Sequence, residues 1–555
     1  MLTPLIHPVA GRVCATCLAV LVSVYSQPAI ADSSVPQVNA PAGMVQGLTE
    51  GSVRVFKGIP YALPPTGEAR WKSPQPAPQG QGALEATAYG PACIQPTSRG
   101  NTIYSSDIAP FSEDCLTLNI WAPADVSDAP VFFWIHGGAL LAGSSKESLY
   151  DGARLAQQGL VVVSINYRLG VLGYLAHPDL SAESPDGVSG NYGLLDQIEA
   201  LRWVQKNIGA FGGDPQNVTI AGESAGGLSV MYLLAAPAAR GLFAKAIAQS
   251  AYMVSTPELK QARFGPSAES VGSYVATTLK AADVAALRAM DAQTLADGAA
   301  AAGYFPSGTI DGKELPGQLV DVFDRGEQAP VPILAGFNSG EIRSLKMLAP
   351  PPAASPEAYE QVIRERYLDL ADDFLGLYPA GDMQESIYAA TRDSLYGWTS
   401  ERLARKQTTL GQPAFLYLFD HGYPAADEAG LHAHHASELP FMWGNLDRTP
   451  PNWPKIPDAE KERQFAATLV SYWSSFARNA RPVAEGAPDW PEYGNRQSFM
   501  LLGDTPEPSQ DLMPGMFELN ETVMCRRRAG GEIPWHWNVG LASPPLPAAS
   551  DAACP

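Results

Sequence analysis

The sequence predicts an α/β protein with a large, mostly parallel central sheet and helices on both faces. Three observations carry this expectation. Residues 131–135 (VFFWI) and 160–165 (LVVVSI) are nearly uninterrupted apolar runs, as suits strands covered on both sides of a sheet. The stretch 194–208 changes to helical spacing, aligning Ile198, Leu201, Val204 and Ile208. Buried strands that alternate with helices need crossover connections, and crossovers make neighbouring strands parallel. Third, Val218 to Gly227 (VTIAGESAGG) is a β-branched run that ends in glycine and opens an apolar helix sequence with Leu228, Met231, Leu233 and Leu234.

Taken in order, the chain opens with Arg12, an apolar run from Val13 to Tyr25 and the small-x-small triplet Ala29-Ile30-Ala31. That pattern reads as a signal peptide over 1–31, cleaved after Ala31, with a secreted or periplasmic mature chain from Asp32. Thr16 before Cys17 disfavours a lipoprotein reading. Valine-containing runs between 43 and 56, broken by Gly47 and Gly51, read as hairpin strands. Residues 116–121 alternate like a strand, and 244–247 and 332–336 supply two more short strands. Helical spacing recurs over 357–378 and 459–478, the latter aligning Phe465, Leu469, Tyr472, Trp473 and Phe476. From Pro506 the sequence is Pro-rich and reads as irregular. No repeat or low-complexity linker divides 32–555, which is expected to be a single domain with long insertions.

A formal net charge of −20 over 555 residues opposes nucleic-acid or anionic-membrane surfaces. No segment of the mature chain is long and apolar enough to span a bilayer. Removing the leader also removes Cys14 and Cys17, leaving Cys93, Cys115, Cys525 and Cys554. An even number in an oxidising compartment points to disulfides, and short loops favour Cys93–Cys115 and Cys525–Cys554 over free buried thiols. No C-x-x-C pair survives cleavage, so no zinc or other metal site is expected.

Ser224 sits between Gly222 and Gly226 as G-x-S-x-G, a strand–turn–helix arrangement that exposes a serine hydroxyl beside helix N-terminal amides. Acyl transfer from serine needs a base, and imidazole titrates nearest neutral pH. His432, His434 and His435 cluster well after the serine; the same cluster is compatible with a metal site or a solvated loop.

Four stretches then make the chain resemble the type-B carboxylesterase/cholinesterase family of α/β-hydrolases. They are FKGIPYALPPTGEARW, SEDCLTLN, WIHGGA and NYGLLDQIEALRWVQKNIGAFGGDPQNVTIAGESAGG, within a match running from about Gly43 to Leu502. The resemblance implies an active site under long insertions that form a gorge, with Ser224 as nucleophile. His435 fits the family's H-x-x-E-(L/I)-x-F segment through Glu438, Leu439 and Phe441. Glu341 fits G-x-N-x-x-E as the acid, with a loop carboxylate as the bland alternative. The chain order is serine, acid, base. The implied oxyanion hole is the amides of Gly138, Ala139 and Ala225, with Ala139 in place of a usual glycine. The resemblance also implies Arg70–Glu113 and Arg168–Asp214 pairs, a Cys93–Cys115 disulfide, a structural His136, and Glu223 beside the nucleophile, either tuning the field at His435 or serving as a structural hydrogen-bond acceptor.

These expectations amount to a secreted serine carboxylesterase that acts on a small-molecule ester through an acyl-enzyme and needs no cofactor. The family also contains catalytically silent adhesion modules; the joint presence of Ser224, Glu341 and His435 argues against that alternative. A choline ester is disfavoured because residues 94–114 contain Tyr104 and Phe111 but no Trp to hold a quaternary ammonium. Arg343, two residues after the expected acid, is either a solvated arginine or the acceptor of a carboxylate-bearing acyl group.

Overall fold

The computed structural model describes residues 35–98, 100, 102–531, 533–535, 539–548 and 554. The expected leader, Cys14, Cys17 and His536 lie outside them. Everything below belongs to the unit Pro36–Pro555.

Eleven strands form one sheet: β1 (Leu48–Glu50), β2 (Val53–Pro60), β3 (Thr117–Pro123), β4 (Ala129–Ile135), β5 (Val161–Ile165), β6 (Gly213–Glu223), β7 (Lys245–Gln249), β8 (Ile333–Asn338), β9 (Ala414–Phe419), β10 (Ser498–Leu502) and β11 (Pro506–Gln510). Their spatial order is β11-β10-β9-β8-β7-β6-β4-β5-β3-β2-β1. From β5 through β4 and β6 to β10, every neighbouring pair is parallel. Antiparallel strands close both margins. At one edge Pro506 and Pro508 remove backbone donors from β11, which blunts it against further pairing.

Side chains of a strand alternate between faces, and here each face has its own core. Val131, Phe133, Ile135, Val163 and Ile220 join one, together with Ile198 and Leu201 of α1 (Tyr192–Asn207) and Leu233 of α2 (Ala225–Ala235). Phe132, Trp134, Val162, Ala221 and Ile247 join the other, together with Leu469, Trp473 and Phe476 of α3 (Glu460–Asn479). Double coverage is why these strands read as continuous apolar runs.

The structure corrects three expectations. Residues 357–378 are two helices, Pro356–Tyr367 and Ala371–Leu377, because Leu368 takes a left-handed φ of 52° between them. The tail from Pro506 is not irregular: it supplies β11 and a helix over Met516–Ala529, which Arg526 ties to Asp369 with two bonds of 2.7 and 2.6 Å. Arg168 does not meet Asp214. It makes bonds of 2.8 and 2.7 Å to Asp196 of α1. Arg168 follows the C-terminal end of β5, whereas Asp214 starts the parallel β6 at the opposite end of the sheet.

Arg70 does pair with Glu113, through two bonds of 2.7 Å. Both disulfides are closed, Cys93–Cys115 and Cys525–Cys554, with Cα separations of 5.1 and 5.7 Å.

Candidate active site

β6 passes through Glu223 into Ser224, and α2 begins at Ala225. Ser224 takes φ 57° and ψ −121°, a conformation that disfavours any residue with a side chain. Glycines on either side permit it. A Cβ on Gly222 would lie 2.5 Å from the Gly226 carbonyl carbon, and one on Gly226 would overlap the Ile135 carbonyl oxygen. The Ser224 N–H donates to Gln249 O at 3.0 Å, pinning the turn to β7. The serine itself remains half-exposed.

The loop after β4 lies directly on this turn: a Cβ on Gly137 would sit 2.8 Å from Glu223 O and 3.3 Å from Ser224 Cβ. Gly138 and Ala139 both have positive φ, 102° and 58°. Among the described residues, no backbone–backbone hydrogen bond takes up either N–H. Ala225 is the first helical residue, whose N–H has no intrahelical acceptor. His136 is buried, stacks on Tyr167 at 4.6 Å and has its pKa lowered by burial to about 4, so it stays neutral.

Glu341 follows β8 and is fully buried. Its Oε1 accepts from Asn338 N at 2.8 Å and Ser250 Oγ at 2.6 Å, and its Oε2 bonds His435 Nδ1. His435 stands on a loop whose flanks, His432 and Ala436, take left-handed φ of 47° and 65°. That loop is held by Gly340 N to Ala433 O at 2.9 Å, Asn338 Nδ2 to His434 O at 2.8 Å and Tyr104 OH to His435 O at 3.0 Å.

The second imidazole nitrogen lies 3.1 Å from Glu223 Oε1. That oxygen has no hydrogen-bond partner among the described residues, so the contact is one of charge and not an aligned bond. Among the described residues, none of the hydrogen bonds joins the Ser224 hydroxyl to His435. The structure therefore joins Glu341 and His435 directly, and brings Ser224 to them through its neighbour Glu223.

Burial raises the Glu223 carboxyl to about 8, against the pull of His435. Burial works to lower the His435 imidazole, but Glu223 and Glu341 outweigh it and raise it to about 9. Glu438 is raised by burial too, although Asn338 and Gln249 donate to it at 2.7 and 2.8 Å. Three buried carboxyl groups thus surround one imidazole. His434 is lowered by burial to about 4 and turns Nδ1 to the His435 carbonyl at 2.9 Å, which leaves it outside this arrangement. Asp311, the carboxylate of the 310–312 turn, caps that turn by accepting from Lys313 N and Glu314 N.

Ser250, Asn338, Gln249 and Tyr396 are parts of the site that the sequence reading passed over. Asn338 lay within the motif around Glu341. Tyr396, 5.4 Å from the His435 ring, rides on a π turn (Asp393–Gly397) for which the sequence carries no signal. Arg343 pairs with Glu385 at 2.6 Å. Among the described residues no cluster of His, Cys, Asp and Glu is arranged to hold a metal ion, and no helix is long and apolar enough to cross a membrane.

The Carboxylesterase family model matches residues 34–515. The chain is 37% identical over 477 residues to para-nitrobenzyl esterase of Bacillus subtilis (strain 168), covering 84% of this chain and 94% of that protein. It is 36% identical to fumonisin B1 esterase of Sphingopyxis macrogoltabida, with 83% and 85% covered. Among solved structures, a PNB esterase superposes with a TM-score of 0.77 at 34% identity, covering 88% of this chain and 99% of the other. A Geobacillus stearothermophilus carboxylesterase at pH 6.2 does so with 0.73 at 32% identity, covering 87% and 99%.

Proposed function

We propose, from the premise that this chain belongs to the carboxylesterase family and is a carboxylic ester hydrolase, that Ser224 is its nucleophile, His435 its general base and acid, and Glu341 the group that orients His435. Neutral His435 withdraws the hydroxyl proton as Ser224 attacks the ester carbonyl, then returns it to the departing alcohol. Water repeats the cycle on the acyl-enzyme. Glu341, bonded by Asn338 and Ser250, orients the ring and fixes the tautomer that presents Nε2 to the reaction. The amides of Gly138, Ala139 and Ala225 take the oxyanion, and removing one such donor typically costs about 10²–10³ in turnover.

The observation that carries this reading is the buried Glu341–His435 bond, whose imidazole also meets Glu223, the residue before a serine held at positive φ. Ser224→Ala should abolish hydrolysis and fluorophosphonate labelling while thermal unfolding stays unchanged. Labelling of the variant at the wild-type rate would assign the nucleophile elsewhere.

The reading extends to an exported chain, cleaved after Ala31, with 32–555 as one domain in the periplasm or outside the cell. Two disulfides support it, since such bonds persist in oxidising compartments. Selectivity for a carboxylate-bearing acyl group is a second reading, and it requires that carboxylate to replace Glu385 on Arg343. Comparing kcat/KM for a neutral acetate ester and a dicarboxylate half-ester decides it: if Arg343→Ala retains half-ester selectivity, Arg343 is not the acceptor.

A further inference from the structure

His432, three residues before His435, has no part in the chemistry above, yet its ring occupies a prepared seat. Its Nδ1 bonds Asp427 Oδ1 at 2.7 Å, and its Nε2 lies 3.3 Å from Asp420 Oδ1. Asp427 comes from the short helix Pro424–Glu428, and Asp420 directly follows β9. Gly422 makes the space: a Cβ there would lie 2.7 Å from Asp427 Oδ1 and closer still to the imidazole. Asp420 is itself anchored, receiving the Ser339 hydroxyl and donating its N–H to Leu502 O at 2.9 Å. Ser339 in turn holds Arg392 through its carbonyl at 2.9 Å, and Arg392 pairs with Asp393 at 2.7 Å. Asp420 and Asp427 are the charges shown against the ring, and Arg392 stands behind Asp420.

The backbone gives the seat its consequence. His432 takes φ 47°, in the left-handed region that a side chain disfavours, and the next three residues carry the chain to His435. Gly340 and Asn338 bind that segment at Ala433 and His434, so His432 and these two bonds together set the path of the chain into His435.

We propose that His432, as an imidazolium clamped between Asp420 and Asp427, is a positioning residue for ester hydrolysis: it fixes the left-handed turn that holds His435 on Glu341. The inference rests on His435 being the base. Bonding to Asp420, with further help from Asp427, raises His432 to about 9 despite part burial, so the clamp is charged at neutral pH and is lost in alkali.

The test compares His432→Asn and His432→Arg in the full chain. Asn tolerates the left-handed turn but removes the charge; Arg keeps a charge that does not titrate. In the Asn variant kcat should fall roughly ten- to a hundred-fold, the scale expected when a catalytic group is displaced by up to about 1 Å, with KM within about twofold of wild type. His432→Arg should recover most of that kcat and resist the alkaline decline expected of the wild type. Asp420→Asn, which removes the partner and leaves the backbone alone, should behave like His432→Asn. Wild-type kcat in His432→Asn, or an identical alkaline decline in wild type and His432→Arg, overturns the proposal. His435→Ala is the control. Turnover retained there defeats the reading of the base itself, whereas turnover lost there but kept in His432→Asn defeats this inference alone.

Discussion

Replacing Glu223 by glutamine tests the electrostatics of the site most directly. The substitution keeps shape and removes one charge 3.1 Å from His435 Nε2. At an effective dielectric constant of about 20, two unit charges at that distance interact by roughly 5 kcal/mol. At about 1.4 kcal/mol per pKa unit this is a ceiling of roughly 4 units on what Glu223 contributes to His435. The realised shift is smaller, because burial raises Glu223 to about 8 and it exerts its full pull only when ionised. We expect the His435 pKa to fall by more than about one unit. The sign follows from the base: a pKa raised to about 9 keeps His435 protonated, and so unable to accept the serine proton, until the pH climbs toward that value. Glu223→Gln should therefore move the acid limb of kcat/KM to lower pH. A pH profile on an ester with an uncharged acyl group reads this out, since kcat/KM reports groups of the free enzyme. An acid limb that stays in place, or moves upward, would refute the role assigned to Glu223.

Glu341→Gln should lower kcat by several orders of magnitude, by analogy with loss of the orienting acid in serine triads where about 10⁴ is seen. Near-normal turnover on the same uncharged ester would remove Glu341 from the acid's role. Arg168→Met should destabilise by about 3–5 kcal/mol, the usual consequence of stranding a buried partner, here Asp196. Denaturant unfolding measures it, and Asp214→Asn should show no comparable loss.

Strands 131–135 and 160–165, the helix before Asn207 and the Ser224 turn were legible in the sequence because their determinants are local. A strand covered on both faces must be apolar throughout, and a serine on a left-handed turn between crossing backbones needs Gly222 and Gly226. β9 (AFLYLF) went unread because a short apolar run by itself does not distinguish a strand from a buried helical segment. The Met516–Ala529 helix was missed because it buries Arg526 and Arg527, and an arginine reads as surface until a distant partner such as Asp369 is brought to it.

The site divides in the same way. Residue types and spacing were enough to nominate Ser224 and three histidines within four residues, and family resemblance selected His435 among them and added Glu341. Which histidine meets Glu341 was decided in space by left-handed turns at His432 and Ala436, which place His435 on the acid, His434 against Trp453 and His432 between two aspartates. Arg168 likewise chose Asp196 over Asp214 because parallel strands put the two carboxylates at opposite ends of the sheet. Local pattern determines which groups are present and which turns they stand on. The partner of each charge is set by long-range packing, since electrostatic interaction depends on distance and burial, and neither follows from separation along the chain.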